Sequence, residues 1–152
     1  MLELRPARLD DPDALLLVDE VQRYYVEVYG GEDDDPIVPE EFLPPRGGFL
    51  LGYDGDAPVA MGGWSFLGDA RDAAKIRRMY VRAAVRRHGY AAVLLDRLEA
   101  DAAAAGARRV VLTTGEPQVA AVRFYLARGY TDVEPFGFYA DEAGAVHLGK
   151  AL

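Results

Sequence analysis

Between Arg86 and Ala91 the chain reads Arg-Arg-His-Gly-Tyr-Ala. Two guanidinium groups, an imidazole and a glycine in succession are the parts of an anion-binding loop. In such a loop backbone N–H groups point at a phosphate, cationic side chains neutralise it, and glycine lets the backbone come close. The placement matters more than the letters. The loop follows a strand-like run, Ala74 to Val81, and opens an alanine-rich helical run that ends near Ala105. A bound anion there would meet the positive end of a helix dipole.

The elements that must position this loop are legible on both sides of it. Leu2 and Leu4 alternate with Glu3 and Arg5, as an edge strand does. Asp11-Pro12 forms an N-cap and first helical position, followed by Leu15, Val18, Val21, Tyr25 and Val28 at helical steps up to Gly30-Gly31. An acidic, proline-rich stretch from Glu32 to Pro45 excludes a long regular element, leaving room for a short helix around Glu40 to Leu43. Asp54-Gly55 between two apolar runs is a hairpin signal. After the loop, Leu94, Leu95, Leu98 and Ala102 make a helical stripe ending at Gly106. Val110 to Thr114 reads as a buried strand, and a helix beginning at Pro117 runs to Gly129. Tyr130–Val133 and Val146–Lys150 read as the last strands. Strand–helix–strand units in the second half imply parallel pairing there, and the hairpin implies antiparallel pairing before it. The expected architecture is an α/β (α+β) fold with helices on the faces of a mixed sheet.

Bulk properties narrow the function classes. At 152 residues with 51% apolar composition, the chain is expected to be one domain, 1-152, with a substantial core. The absence of cysteine excludes a disulfide scaffold, a thiolate zinc site and a cysteine nucleophile. No metal is expected. The early charges of Met1-Leu2-Glu3-Leu4-Arg5 and the lack of any long apolar run give the expectation of a cytoplasmic protein with no membrane partner. Net charge is −8, yet the segment from Arg71 to His88 is +6, with seven basic residues against Asp72, which leaves −14 for the rest. An acidic chain is poorly suited to nucleic acid, so no nucleic-acid partner is expected, whereas a basic island suits a compact polyanion or a solvated arginine face.

In this order the pieces resemble a GCN5-related N-acetyltransferase (GNAT). The family's acetyl-CoA loop, [Gln/Arg]-x-x-Gly-x-[Gly/Ala], is filled by Arg86, Gly89 and Ala91, and the family's later Phe/Leu-Tyr and Gly-Phe/Tyr pairs match Phe124-Tyr125 and Gly129-Tyr130. The resemblance spans essentially the whole chain and is strongest from Lys75 to Tyr130. It implies a mostly antiparallel twisted sheet of six to seven strands, flanked by about four helices. Its parallel central pair would splay around acetyl-CoA as cosubstrate. It also implies that the loop residues Arg86, Arg87, His88, Gly89, Tyr90 and Ala91 receive the pyrophosphate. Met79, Tyr80 and Val81 would lend main-chain groups to the pantetheine arm, an added-strand arrangement. Gln118 stands where the family has an Asn on the pantetheine.

Acyl transfer to an amine needs a neutral nucleophile, a stabilised oxyanion and a proton for the leaving thiolate. Neutralising a lysine-like amine at pH 7 costs roughly 4.6 kcal/mol. The resemblance makes Tyr125 the catalytic acid; the alternative is a core aromatic beside Phe124. No glutamate base carries over, because Lys75 and Thr113 stand where close relatives often have Glu. The family's acceptor pocket maps here to Tyr25, Tyr29 and Tyr139. With them goes an acidic loop whose six acids between Glu32 and Glu41 would either draw a cationic amine or simply be solvated. His147 reads as a strand residue. The leading expectation is therefore an N-acetyltransferase acting on a primary amine of a small molecule by direct attack in a ternary complex. Acetylation of a protein N-terminus or lysine, and a non-catalytic acyl-CoA sensor, are the alternatives. Homodimerisation is left open. A Rossmann-type site is excluded by the lack of Gly-x-Gly-x-x-Gly near the first strand.

Overall fold

The first helix begins where Asp11 accepts a hydrogen bond from the Asp13 amide, with Pro12 at the first position, and ends where Gly30 adopts φ +79°. This element, α1 (Pro12–Tyr29), turns Ala14, Leu17 and Val21 into the core. Leu15, expected on the buried stripe, is 53% exposed, because the packed face is centred one residue earlier, on Ala14, Leu17 and Val21.

The computed structural model describes residues 1–152. It contains strands β1 (Leu2–Pro6), β2 (Gly47–Asp54), β3 (Ala57–Phe66), β4 (Ala73–Val81), β5 (Arg109–Gly115), β6 (Thr131–Asp132) and β7 (Ala145–Ala151). They form one sheet in the order β1-β2-β3-β4-β5-β7-β6. Every neighbouring pair is antiparallel except β4 with β5. Helices α2 (Tyr90–Ala104) and α3 (Val119–Ala127) complete the layers. Three α-helices are present rather than about four. The stretch near Glu40 is a single 3₁₀ turn, Pro39–Phe42, bounded by its prolines, and the third helix starts at Val119, two residues later than Pro117.

The sheet separates two apolar layers. Strand side chains alternate between faces, so Phe49 and Leu51 pack with α1 while Leu50 packs with α2. Leu94, Leu95, Leu98 and Ala102 are buried as the stripe required. Tyr125 and Tyr130 lie in the same layer.

Two irregularities shape the centre of the sheet. Strands β4 and β5 pair only over Ala73–Lys75 with Arg109–Val111, then diverge. Just beyond, β4 bulges: Met61 faces Tyr80 and Gly63 faces Arg77, so Gly62 alone opposes Arg78 and Met79. Arg78 carries the bulge with φ +57°. A bulge bends its strand and sharpens local twist, and here it does so where β4 leaves β5. The divergence opens a wedge whose two edges carry backbone groups without a neighbouring strand.

Candidate active site

The residues from Arg86 to Ala91 connect β4 to α2 as expected. Gly89 caps the helix at φ +76°, and Arg87 is also left-handed, at φ +73°. The amides of residues 87 to 92 donate to no backbone carbonyl. Six N–H groups at the start of a helix are therefore free for an anion. The loop is pinned by its own side chains: Arg86 Nε donates to the Val81 carbonyl at 3.0 Å, and Tyr90 Oη donates to Asp54 Oδ2 at 3.0 Å. His88 stands edge-on to Tyr90 and is exposed.

Upstream of the loop, Met79 and Val81 pack against the α2 layer. The Tyr80 side chain faces the other way, donating to Glu20 Oε2 at 3.3 Å. It can offer the wedge only main-chain groups.

The floor of the wedge is made by α3. Tyr125 is buried there against Phe124 and Tyr130, and its Oη donates to Met79 Sδ at 3.6 Å. Burial pushes the phenol well above its ordinary range, so it holds its proton. A weak thioether acceptor leaves that O–H available to a better partner. Tyr125 is thus a core aromatic whose one polar atom reaches the wedge.

Met79, Gln118, Tyr125, Tyr25 and Tyr139 line one cavity of about 110 Å³ between the separated strands. A cleft of about 720 Å³ adjoins it, sharing Tyr25, Gln118 and Tyr139 and adding Tyr29. Of the remaining sequence-derived residues, Tyr80, Val81 and the loop to Ala91 line neither; they lie farther along β4 and at the α2 N-terminus. Gln118 Nε2 donates to Tyr29 Oη at 2.6 Å, so half of its amide is already engaged. Tyr139 Oη donates to Asp33 Oδ1 at 2.6 Å and accepts from the Asp34 amide at 2.9 Å. Burial, then Asp33, push its pKa up to about 12.

The acidic loop is solvated in part, and two of its acids are fastened to the sheet. Asp35 accepts from Lys75 Nζ at 2.9 Å and pairs with Arg77 Nη2 at 3.1 Å. Asp33 pairs with Arg78 Nη1 at 3.3 Å. These two carboxylates hold the loop onto β4, and only their neighbours Glu32, Asp34, Glu40 and the half-exposed Glu41 face solvent. At one missing-glutamate position, the Lys75 cation instead fastens this loop to β4. At the other missing-glutamate position, Thr113 Oγ1 is hydrogen-bonded to His147 Nδ1 at 3.1 Å, across the β5–β7 register.

Sequence reasoning missed the pairings among Asp33, Asp35, Lys75 and Arg78, and the place of Gly115. Asp33 and Arg78 pair across 45 residues, and Lys75 with Asp35 across 40, distances at which no local pattern exists. Gly115 lies against the Tyr29 ring; a Cβ there would come within 2.8 Å of Tyr29 Cε1. Its one available signal was its position, closing β5 where the wedge opens.

The fold defines a class. A mixed sheet with one splayed parallel pair, and free amides at the helix that follows, fits a cofactor held partly as an added strand and partly by phosphate contacts. The acetyltransferase (GNAT) family model matches residues 15–130, and the chain belongs to that family, whose fold uses acetyl-CoA. The IAA acetyltransferase of Azospirillum brasilense is 26% identical over 144 residues, covering 90% of this chain and 88% of that protein. A GNAT-family acetyltransferase from Staphylococcus aureus superposes with TM-score 0.79 at 15% identity, covering 100% of this chain and 99% of the other. A GNAT-family acetyltransferase from Elizabethkingia anophelis, solved with acetyl-CoA bound, gives TM-score 0.68 at 14% identity over 99% and 98% of the two chains. The protein is an acyl-CoA-dependent N-acetyltransferase. No helix is long and apolar enough to cross a membrane.

Proposed function

We propose that residues 1–152 form one acetyltransferase domain that moves the acetyl group of acetyl-CoA to a primary amine of a small molecule, by direct attack in a ternary complex. The observation that carries this reading is the small cavity of about 110 Å³ between β4 and β5, with Tyr125 in its wall and the Asp33–Asp35 loop fastened beside it. A fastened loop and a small chamber favour a compact acceptor over a protein chain. The adjoining cleft supports a second reading, acetylation of a peptide N-terminus, because about 720 Å³ lies within the range of ligand sites.

Acetyl-CoA supplies a thioester whose carbonyl carbon takes the amine and whose sulfur departs. The amides of residues 87–92 would hold its phosphates, and the unpaired edge of β4 from Met79 to Val81 would hold its pantetheine arm. Tyr125 Oη, kept protonated by burial, gives its proton to the departing sulfur. The amine enters neutral and loses one proton to solvent through the adjoining cleft as the N–C bond forms, and Tyr125 regains a proton from solvent once the thiol has left. Thr113 Oγ1, in the cavity wall and backed by His147, is placed to accept a hydrogen bond from the amine.

The experiment is thiol release from acetyl-CoA across a panel of small primary amines and short peptides. Release dependent on small amines supports the proposal; release with peptides alone selects the second reading; binding without release under any condition overturns both.

A further inference from the structure

Arg78 lines the cavity, and its guanidinium group is left incomplete by its surroundings. The Arg78 side chain is 6% exposed, and its Nε is buried with no hydrogen-bond partner. Its single side-chain hydrogen bond is the 3.3 Å pair from Nη1 to Asp33. Buried N–H groups are almost always satisfied, and an orphaned one costs more than a made bond returns. Arg78 also sits at φ +57°, a conformation costly for a non-glycine residue. The strand is thus bent at the residue that carries this donor.

The cavity's charge adds a second observation. Three cations line it, Lys75, Arg77 and Arg78, against two carboxylates, Asp33 and Asp35. Asp35 serves both Lys75 and Arg77. Asp33 takes only Nη1 of Arg78, which leaves the Nε–Nη2 edge, the edge whose parallel N–H bonds match a carboxylate in bidentate fashion. Tyr25 and Tyr139 border the same space as neutral hydroxyls, Tyr25 because burial raises its pKa and Tyr139 because burial and Asp33 do so.

We propose that the acceptor is an amine that also bears a carboxylate, and that Arg78 binds that carboxylate through its Nε–Nη2 edge. The inference rests on the small-amine reading above and names the substrate class within it. The amine end then lies toward Thr113 and Tyr125, which line the same cavity. Asp33 has the role of fixing the guanidinium plane. The acidic loop is thereby a scaffold for an arginine, and not a lure for cations.

The test compares α-amino acids with their α-carboxamides and with the corresponding decarboxylated amines, using the wild-type protein and acetyl-CoA. A charge-assisted bidentate contact predicts kcat/KM about ten- to hundredfold higher for the carboxylates, expressed mainly in KM. Arg78→Lys, which keeps the charge and loses the fork, is expected to shrink that preference to within about threefold. The wild-type comparison stands even if the variant does not fold. Carboxamides or decarboxylated amines used as well as the acids overturn the inference while leaving the small-amine proposal standing. A panel in which no carboxylate-bearing amine is acetylated also overturns it. An unchanged preference in folded Arg78→Lys overturns the assignment to Arg78.

Discussion

Tyr139, ahead of β7, donates its hydroxyl proton to Asp33, beyond the end of α1, at 2.6 Å. This bond joins two loops 106 residues apart in sequence and borders the cavity between β4 and β5. Asp33 in turn meets Arg78 on β4, so three segments converge on one carboxylate.

Replacing Tyr139 by Phe removes the shared hydroxyl and keeps the ring. A hydrogen bond of this kind contributes about 1 kcal/mol, so acceptor KM is expected to rise roughly fivefold while kcat holds within about twofold. Steady-state kinetics with acetyl-CoA saturating checks this.

Tyr125→Phe tests the proton donor proposed above. Loss of a positioned general acid lowers kcat by about 10²- to 10⁴-fold. Acetyl-CoA should still raise the melting temperature of the variant, because the free amides proposed to hold its phosphates lie at α2 and not α3. A variant with full thiol release would assign Tyr125 to packing alone.

The buried tyrosines also set the alkaline limit of stability. Desolvation raises the pKa of Tyr25, Tyr125 and Tyr130 above the ordinary value near 10, and Glu99 adds to the rise at Tyr130. Above pH of about 10 the unfolded chain loses these protons and the folded protein keeps them. The folded state then binds more protons, so stability falls as pH rises through that point. Chemical denaturation at pH 8, 10 and 11 should give a midpoint that is steady at first and then declines. Removing the hydroxyl with Tyr130→Phe should flatten the decline.

At the acid end, Glu20 governs the link between α1 and β4. Its carboxyl lies below the usual range because Arg82 donates to it, at 2.9 and 3.0 Å from Nε, opposed by partial burial. The pair's contribution is present above the unfolded carboxyl pKa of about 4.3 and is lost as pH falls. Glu20→Gln should cost about 1–2 kcal/mol at pH 7 and much less at pH 3, measured as the difference in denaturation midpoint.

What the sequence disclosed about this site was local or periodic. The strand-loop-helix at Val81–Tyr90 and the stripe Leu94, Leu95, Leu98, Ala102 are written in neighbouring residues, and both fold as they read. Tyr125 was legible through its motif, and its proton-holding environment only through packing against Phe124 and Tyr130. The contacts of Asp33, Asp35, Lys75 and Arg78 had no local trace, since each joins segments that the sheet alone brings together. The Thr113–His147 bond depends on the antiparallel register of β5 and β7, where a slip of one residue would turn His147 to the opposite face. Leu15 shows the limit of periodicity: two adjacent helical stripes fit the same letters, and contact with Phe42, Phe49 and Met61 selected the one through Leu17.

The claim that the splayed strands and the α2 N-terminus together form an acetyl-CoA site is tested most directly by thermal unfolding with and without acetyl-CoA. At a hundredfold excess over Kd, the ligand should add about 2.7 kcal/mol, which for a domain of this size raises Tm by roughly 5–10 °C. Gly89→Val, which places a β-branched residue at φ +76° in the loop, should lose most of that rise. A wild-type Tm unmoved by acetyl-CoA would contradict the assignment.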